Sequence, residues 1–221
     1  MFGIKKFLSK GGAPEHLPDD VRAGLEAWRD SPAPSLDGLH FHTRYVVVDV
    51  ATNGTDPESD QLLAIAVSSV NQSTIVPNDT LYVDFAAGQG EGGAVERRLL
   101  AFLEHAAKGP LVTYHVPYVG GFLQRACKER LGVDFQSQWI DLAWLLPSMF
   151  PDKGNKVMPL DHWIEAFGLD VGSGRRNAME NSLLLARLFQ MLLVRATGKE
   201  IDTAAKLIGE SRASSFLRRI H

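Results

Sequence analysis

The sequence predicts an α/β domain built on a mixed β-sheet with helices around it. Two observations carry that expectation. Apolar, β-branched or aromatic runs of strand length come early, at 45–49, 62–70 and 80–85. Apolar residues at helical 3–4 spacing then take over, interrupted by short strand-like runs at 111–114 and 139–141. Periodicity of this kind defines the layer type and leaves the finer fold open.

Residues 1–42 read as an N-terminal arm. Its start is amphipathic and basic, with Phe2, Ile4, Phe7 and Leu8 among Lys5, Lys6 and Lys10. It has neither the long apolar stretch nor the cleavage site of a secretory signal. Docking at a membrane interface and a frayed terminal turn both fit it. Asp19 is placed to cap a helix with Val21, Leu25 and Trp28 on one face, and Ser31-Pro-Ala-Pro34 ends that helix.

The domain proper spans 43–197. Tyr45 opens a buried strand that runs into Asp49, and turn signals at Asp56-Pro57 and Pro77-Asn78-Asp79 separate the next two strands. Gly88, Gly90, Gly92 and Gly93 form a flexible connector. Their spacing matches neither common phosphate-loop pattern, and no Lys-Ser/Thr follows. A helix carrying Val95, Leu99, Phe102, Leu103 and Ala106 comes next. After the 111–114 strand, Val119, Phe122, Leu123, Ala126 and Cys127 mark another helix. Leu160, Trp163, Ile164 and Phe167 mark a small one stopped by Gly168, and 177–196 is the longest. Residues 198–221 form a basic C-terminal tail, with a helix near 202–208 followed by Arg212, Arg218 and Arg219.

Bulk properties narrow the function classes. The 221 residues are 45% hydrophobic and 22% charged, the balance of a soluble globular protein. A net charge of −3 gives no global basic field, so any nucleic-acid contact rests on a local patch. The single cysteine, Cys127, excludes an internal disulfide and falls on an apolar helical face. No apolar run approaches the roughly 20 residues of a membrane span. A reducing, cytoplasmic setting is expected. Trp28, Trp144 and Trp163 lie on apolar helical faces and are expected in the core, while Trp139 leads into a strand and is undecided.

Four segments carry a family resemblance. Asp49-Val-Ala-Thr-Asn-Gly54 closes the first strand, and Asp56-Pro-Glu-Ser-Asp-Gln-Leu-Leu-Ala-Ile65 runs into the second. His115-Val-Pro-Tyr-Val-Gly-Gly-Phe-Leu123 follows the 111–114 strand. Ile140-Asp-Leu-Ala-Trp-Leu-Leu146 leads to Phe150-Pro151, and Arg175-Arg-Asn-Ala-Met-Glu-Asn-Ser182 opens the longest helix. In order and separation these resemble the motifs of DnaQ-like (DEDDh) 3'–5' exonucleases over about residues 43–195. The likeness is nearest to stand-alone bacterial proteins similar to the proofreading ε subunit of DNA polymerase III. It implies an RNase H-like mixed sheet flanked by helices.

The resemblance also shows what has changed. Of the family's catalytic positions only Asp49 is kept. Ala51 stands in place of the first-motif Glu, Val119 of the second-motif Asp, Asn181 of the last Asp, and Arg176 of the general-base His. Family chemistry is hydrolysis of a terminal phosphodiester by two Mg²⁺ or Mn²⁺ ions about 4 Å apart. Hard ions of that kind need oxygen ligands and negative charge, and the His takes a proton from the attacking water. Here the charges of Asp49 and Arg176 cancel, and Arg cannot act as a base because its pKa stays above about 12.

The expectation is therefore a catalytically inactive exonuclease-like protein that acts by binding. Its ligand would be single-stranded nucleic acid or a nucleotide; a protein partner held through the arm or tail is the other option. No cofactor is expected. The alternative is an active exonuclease with an altered site, which would bring back Mg²⁺ or Mn²⁺ with Asp49 as ligand. Arg176, His115 and Asn53 are the candidate ligand-binding residues: Arg176 offers a planar fork of donors to phosphate. Equally, Arg176 sits on a mobile loop with Gly172 and Gly174 and is free to pair with Asp49 or Glu180. Asp141 is expected to cap the helix after it. Glu180 is turned roughly 100° from the site-facing position next to it and is expected at the surface.

Overall fold

The computed structural model describes residues 16–87, 92–169 and 176–219. The basic start of the arm, Gly88 and Gly90, and the glycines flanking Arg176 lie outside these residues, as do the side chains of Arg218 and Arg219. In chain order the elements are α1 (Asp19–Asp30), a short 3-10 helix (His40–His42), β1 (Tyr45–Thr52), β2 (Leu62–Asn71), β3 (Thr74–Asp84) and α2 (Ala94–Ala106). Then come β4 (Leu111–Thr113), α3 (Val116–Leu131), β5 (Trp139–Asp141), α4 (Leu142–Met149), α5 (Leu160–Ala166), α6 (Ala178–Thr197) and α7 (Ala204–Arg219).

The strands form one five-stranded sheet in the order β3-β2-β1-β4-β5. β1, β2 and β3 pair antiparallel, while β1, β4 and β5 run parallel. The sheet is mixed, as expected, and helices cover both faces. Strand alternation divides the core in two. Val46, Val48 and Val50 pack with α1, α2 and α3. Tyr45 and Val47 point the other way, into a core shared with α4, α6 and α7. Asp49 and Ala51 continue this odd-numbered series, which puts them on the face covered by α6.

Three local features differ from the sequence expectation. The β2–β3 turn is Gln72-Ser73, both with positive φ (51° and 58°), between the paired residues Asn71 and Thr74. Pro77, expected in that turn, instead lies within β3. This is tolerated because residues 77–79 bulge out of the ladder between the pairs Ser69–Val76 and Ser68–Thr80, on an edge strand where a missing N–H interrupts no bond. Pro18 holds the cap position of α1, and Asp19 begins the helix, where its carboxylate meets the positive helix end and pairs with Arg22 at 3.1 Å. α7 runs well past 208 and buries Ala204, Leu207, Ile208, Ser211 and Ser214. Ser211 and Ser214 continue the helical spacing as buried polar residues, which hides the pattern from an apolar count.

Glycines shape the loop after β1. A Cβ at Gly54 would sit 2.1 Å from the Asp60 carboxylate, so only glycine lets that side chain fold back across the turn. At Gly121 a Cβ would approach Pro57 to 2.8 Å, so glycine also sets how closely α3 meets this loop.

Candidate functional site

A chain of polar contacts leads away from Asp49. Asn181, in the first turn of α6, donates its side-chain amide to Asp49 Oδ2 at 3.1 Å. Arg176 Nε donates to Asn181 Oδ1 at 2.9 Å, and the Arg176 guanidinium pairs with Asp161 on α5. The start of α6 is held by a capping box. Asn177 Oδ1 accepts the Glu180 N–H at 2.9 Å, and Glu180 returns a carboxylate oxygen to the Asn177 N–H at 2.8 Å. Asn181 is thereby presented to β1 from a fixed helix end.

The chain of contacts does not offset the burial of Asp49. Its side chain is half-buried. Desolvation lifts its carboxyl from an ordinary 3.8 to about 6, against the opposing pull of the Asn181 amide, a backbone N–H and the Arg176 charge. Near neutral pH this carboxylate is ionised by only a small margin. The partner of Arg176 is Asp161, rather than Asp49 or Glu180. Arg176 reaches Asp49 only through Asn181.

The other site candidates are outside this chain of contacts. Ala51 follows Asp49 on the same strand face and is half-buried. Val119 is fully buried in the core on the opposite side of the sheet. His115 is the residue before α3, in the left-handed conformation (φ 64°), with its exposed ring edge-on to Tyr114. Asn53 is exposed and joined to Gln61: its Oδ1 accepts the Gln61 N–H at 2.7 Å, which closes the loop after β1. Neighbouring Thr52 shares a 2.6 Å hydrogen bond with the Tyr118 hydroxyl, tying the end of β1 to α3.

Asp141 does more than cap one helix. One carboxylate oxygen accepts the N–H groups of His115 and Ala143, each at 3.0 Å; the other accepts that of Val116 at 2.9 Å. The residue thus holds the starts of both α3 and α4. Its own N–H donates to Ser211 Oγ on α7 at 2.9 Å. Burial still raises its pKa, because desolvation outweighs these bonds. Cys127 is buried in the core, and burial pushes its thiol up to about 12, which makes it an unreactive packing residue. Trp163 is fully buried and Trp28 half-buried, with the Lys108 ammonium 5.1 Å above its ring. Trp144, expected in the core, is only half-buried and lines a surface cavity of about 300 Å³.

Sequence reasoning missed two members of the site. The capping box was legible as Asn-x-x-Glu at 177–180 ahead of an apolar helix. Asp161 was not, because its partnership with Arg176 joins two elements that no motif links. Among the described residues no three His, Cys, Asp or Glu side chains converge as a metal-binding group would. No helix of the described residues is long and apolar enough to cross a membrane.

No family model matches the chain, and no curated protein matches it in sequence. Solved structures do match it in fold. Exonuclease I of E. coli in complex with a dT13 oligonucleotide aligns with a TM-score of 0.51 at 12% identity, covering 70% of this chain and 42% of that one. The cell-death related nuclease CRN-4 aligns with a TM-score of 0.57 at 11% identity, covering 71% and 66%. The nuclease domain of 3'hExo, a DEDDh family member bound to rAMP, aligns with a TM-score of 0.55 at 15% identity, covering 71% and 94%. This chain thus spans under half the length of exonuclease I. The sheet and its helices have the RNase H-like fold of DnaQ-like exonucleases.

Proposed function

We propose that this chain is a DnaQ-like protein that binds single-stranded nucleic acid or a nucleotide without hydrolysing it. The observation that carries this is the contact chain Asp161–Arg176–Asn181–Asp49. It fills the surroundings of the one retained acid with an amide and a guanidinium. Hard divalent ions require several oxygen ligands; the Asp49 surroundings offer one carboxylate, of raised pKa, with a fixed cation one amide away. These residues do not fit a pair of divalent ions, and the guanidinium that stands in place of the family's His cannot deprotonate water. Motif likeness to the ε subunit supports a kinship with proofreading exonucleases in which all the catalytic positions but Asp49 are replaced.

Binding without metal follows from Arg176. Its carboxylate partner Asp161 is 74% exposed, and exposed ion pairs are weak, about 1 kcal/mol or less. A phosphate entering beside Asp49 offers the guanidinium a stronger bidentate partner and displaces Asp161. His115 and Asn53 flank the same end of the sheet.

Labelled single-stranded DNA and RNA incubated with the protein and Mn²⁺ test the reading. Intact strands, no heat of Mn²⁺ binding, and nucleotide binding that weakens in Arg176→Ala are expected. End-shortening abolished by Asp49→Asn would instead establish a working exonuclease with an altered site.

A further inference from the structure

A second recognition element lies outside the polar chain of Asp49. β5 ends at Asp141, two strands from β1 and therefore about 10 Å across the sheet. Above it, between the start of α3, α4 and α7, is the cavity of about 300 Å³ lined by Pro117, Trp144, Ser215 and Phe216, with Arg212 at its edge. Its size is at the lower end of the small-ligand range. Its lining is largely apolar, and Asp141, the acid within it, is only 5% exposed and turned to backbone N–H groups.

Phe216 is 65% exposed, on a helix whose other side is buried. With the half-buried indole of Trp144 it lines the same cavity, so two aromatic side chains meet at one opening. Arg212 lies one helical turn earlier, so its guanidinium shares the face of Phe216. Among the described residues it pairs with no carboxylate; it donates to Gln138 Oε1 at 3.0 Å. Aromatic plates with an available arginine form the combination that holds single strands, by stacking on bases and neutralising phosphate.

We propose that Trp144, Phe216 and Arg212 form a stacking subsite for an unpaired base of a single strand whose end lies at Asp49. The proposal rests on the nucleic-acid-binding reading and adds to it the part of the strand that is read by α7. α7 follows the stretch that resembles the exonuclease motifs, so Phe216 and Arg212 lie outside that stretch while Trp144 lies within it.

Fluorescence anisotropy of labelled oligo(dT) eight nucleotides long, with the full chain, tests it. Phe216→Ala is expected to weaken binding about five- to a hundredfold, the range for loss of one stacked base. Arg212→Ala is expected to weaken it and to lower the slope of log affinity against log salt by about one. Phe41→Ala removes another exposed ring, 53% accessible, before the opposite end of β1, and is expected to change nothing. An abasic strand of equal length is expected to bind weakly and to ignore Phe216→Ala. If wild type binds but Phe216→Ala and Arg212→Ala bind equally well, the subsite is wrong while the binding function stands. If wild type binds no strand at all, both readings fall.

Discussion

Asp49 and Asp141 lie toward the same end of one sheet, on strands two places apart, and both are withdrawn from water; their surroundings differ in kind. Asp141 accepts three backbone N–H groups and so completes two helix starts. Asp49 accepts one side-chain amide from Asn181. Backbone donors are part of the fold and persist whatever the side chains become. The Asn181 amide, one backbone N–H and the more distant Arg176 charge do not recover the cost of burying the Asp49 carboxylate. The lesson is that Asp141 is an acid the structure uses, whereas Asp49 is an acid the structure tolerates.

Substitutions can break or sharpen that contrast. The largest effect is expected at a third acid position, where neither kind of donor exists: Val119→Asp places a carboxylate in a fully buried site and should cost upward of about 4 kcal/mol, read as loss of cooperative unfolding. Asp141→Ala orphans three N–H groups at about 1 kcal/mol each, so about 3 kcal/mol of stability should disappear in urea titrations.

Asp49→Asn should act in the opposite direction. The folded-state pKa of Asp49 is raised from 3.8 to about 6, so folding favours its protonated form. The penalty is absent below about pH 4, grows as pH rises toward 6 and is complete above that. The shift corresponds to about 3 kcal/mol as an upper bound. Asn181 keeps an acceptor in the variant. Asp49→Asn should therefore be up to 2–3 kcal/mol more stable than wild type at pH 7.5 and equal to it near pH 3.5, by parallel denaturant series. Equal stability at both pH values would mean that the partners of Asp49 fully compensate its burial.

The smallest effect is expected at Arg176. Arg176→Ala removes an ion pair with an exposed carboxylate and the Nε bond to Asn181, and should change stability by about 1 kcal/mol. It also removes a positive charge that favours the ionised carboxylate, so the Asp49 titration followed by NMR should move upward.

Much of the fold was legible because it is written in local periodicity. The apolar run from Tyr45 already marked β1 as a buried strand, and the 3–4 spacing of 119–127 located α3. The β2–β3 turn was misread because Pro-Asn-Asp is a stronger turn signal than Gln-Ser, although an edge strand can absorb a proline. The site was legible only where a motif supplied the frame. Asp49, Asn181 and Arg176 do come together, but the motif could not show that Arg176 would be taken by Asp161, a residue from a different helix. Nor could it show that Val119 is a core residue, since replacement of an acid by valine looks the same in sequence whether the position faces a cleft or the interior.

The bond from the Asp141 N–H to Ser211 has a consequence for how the protein can be dissected. Shortening the chain at residue 203 would strip a hydroxyl from a strand end in the interior, uncover Leu207 and Ile208's packing surface, and loosen the anchor on which α3 begins. A minimal fragment trimmed to the motif-bearing stretch would thus be prone to aggregate, and its silence in a binding assay would say nothing about the intact molecule.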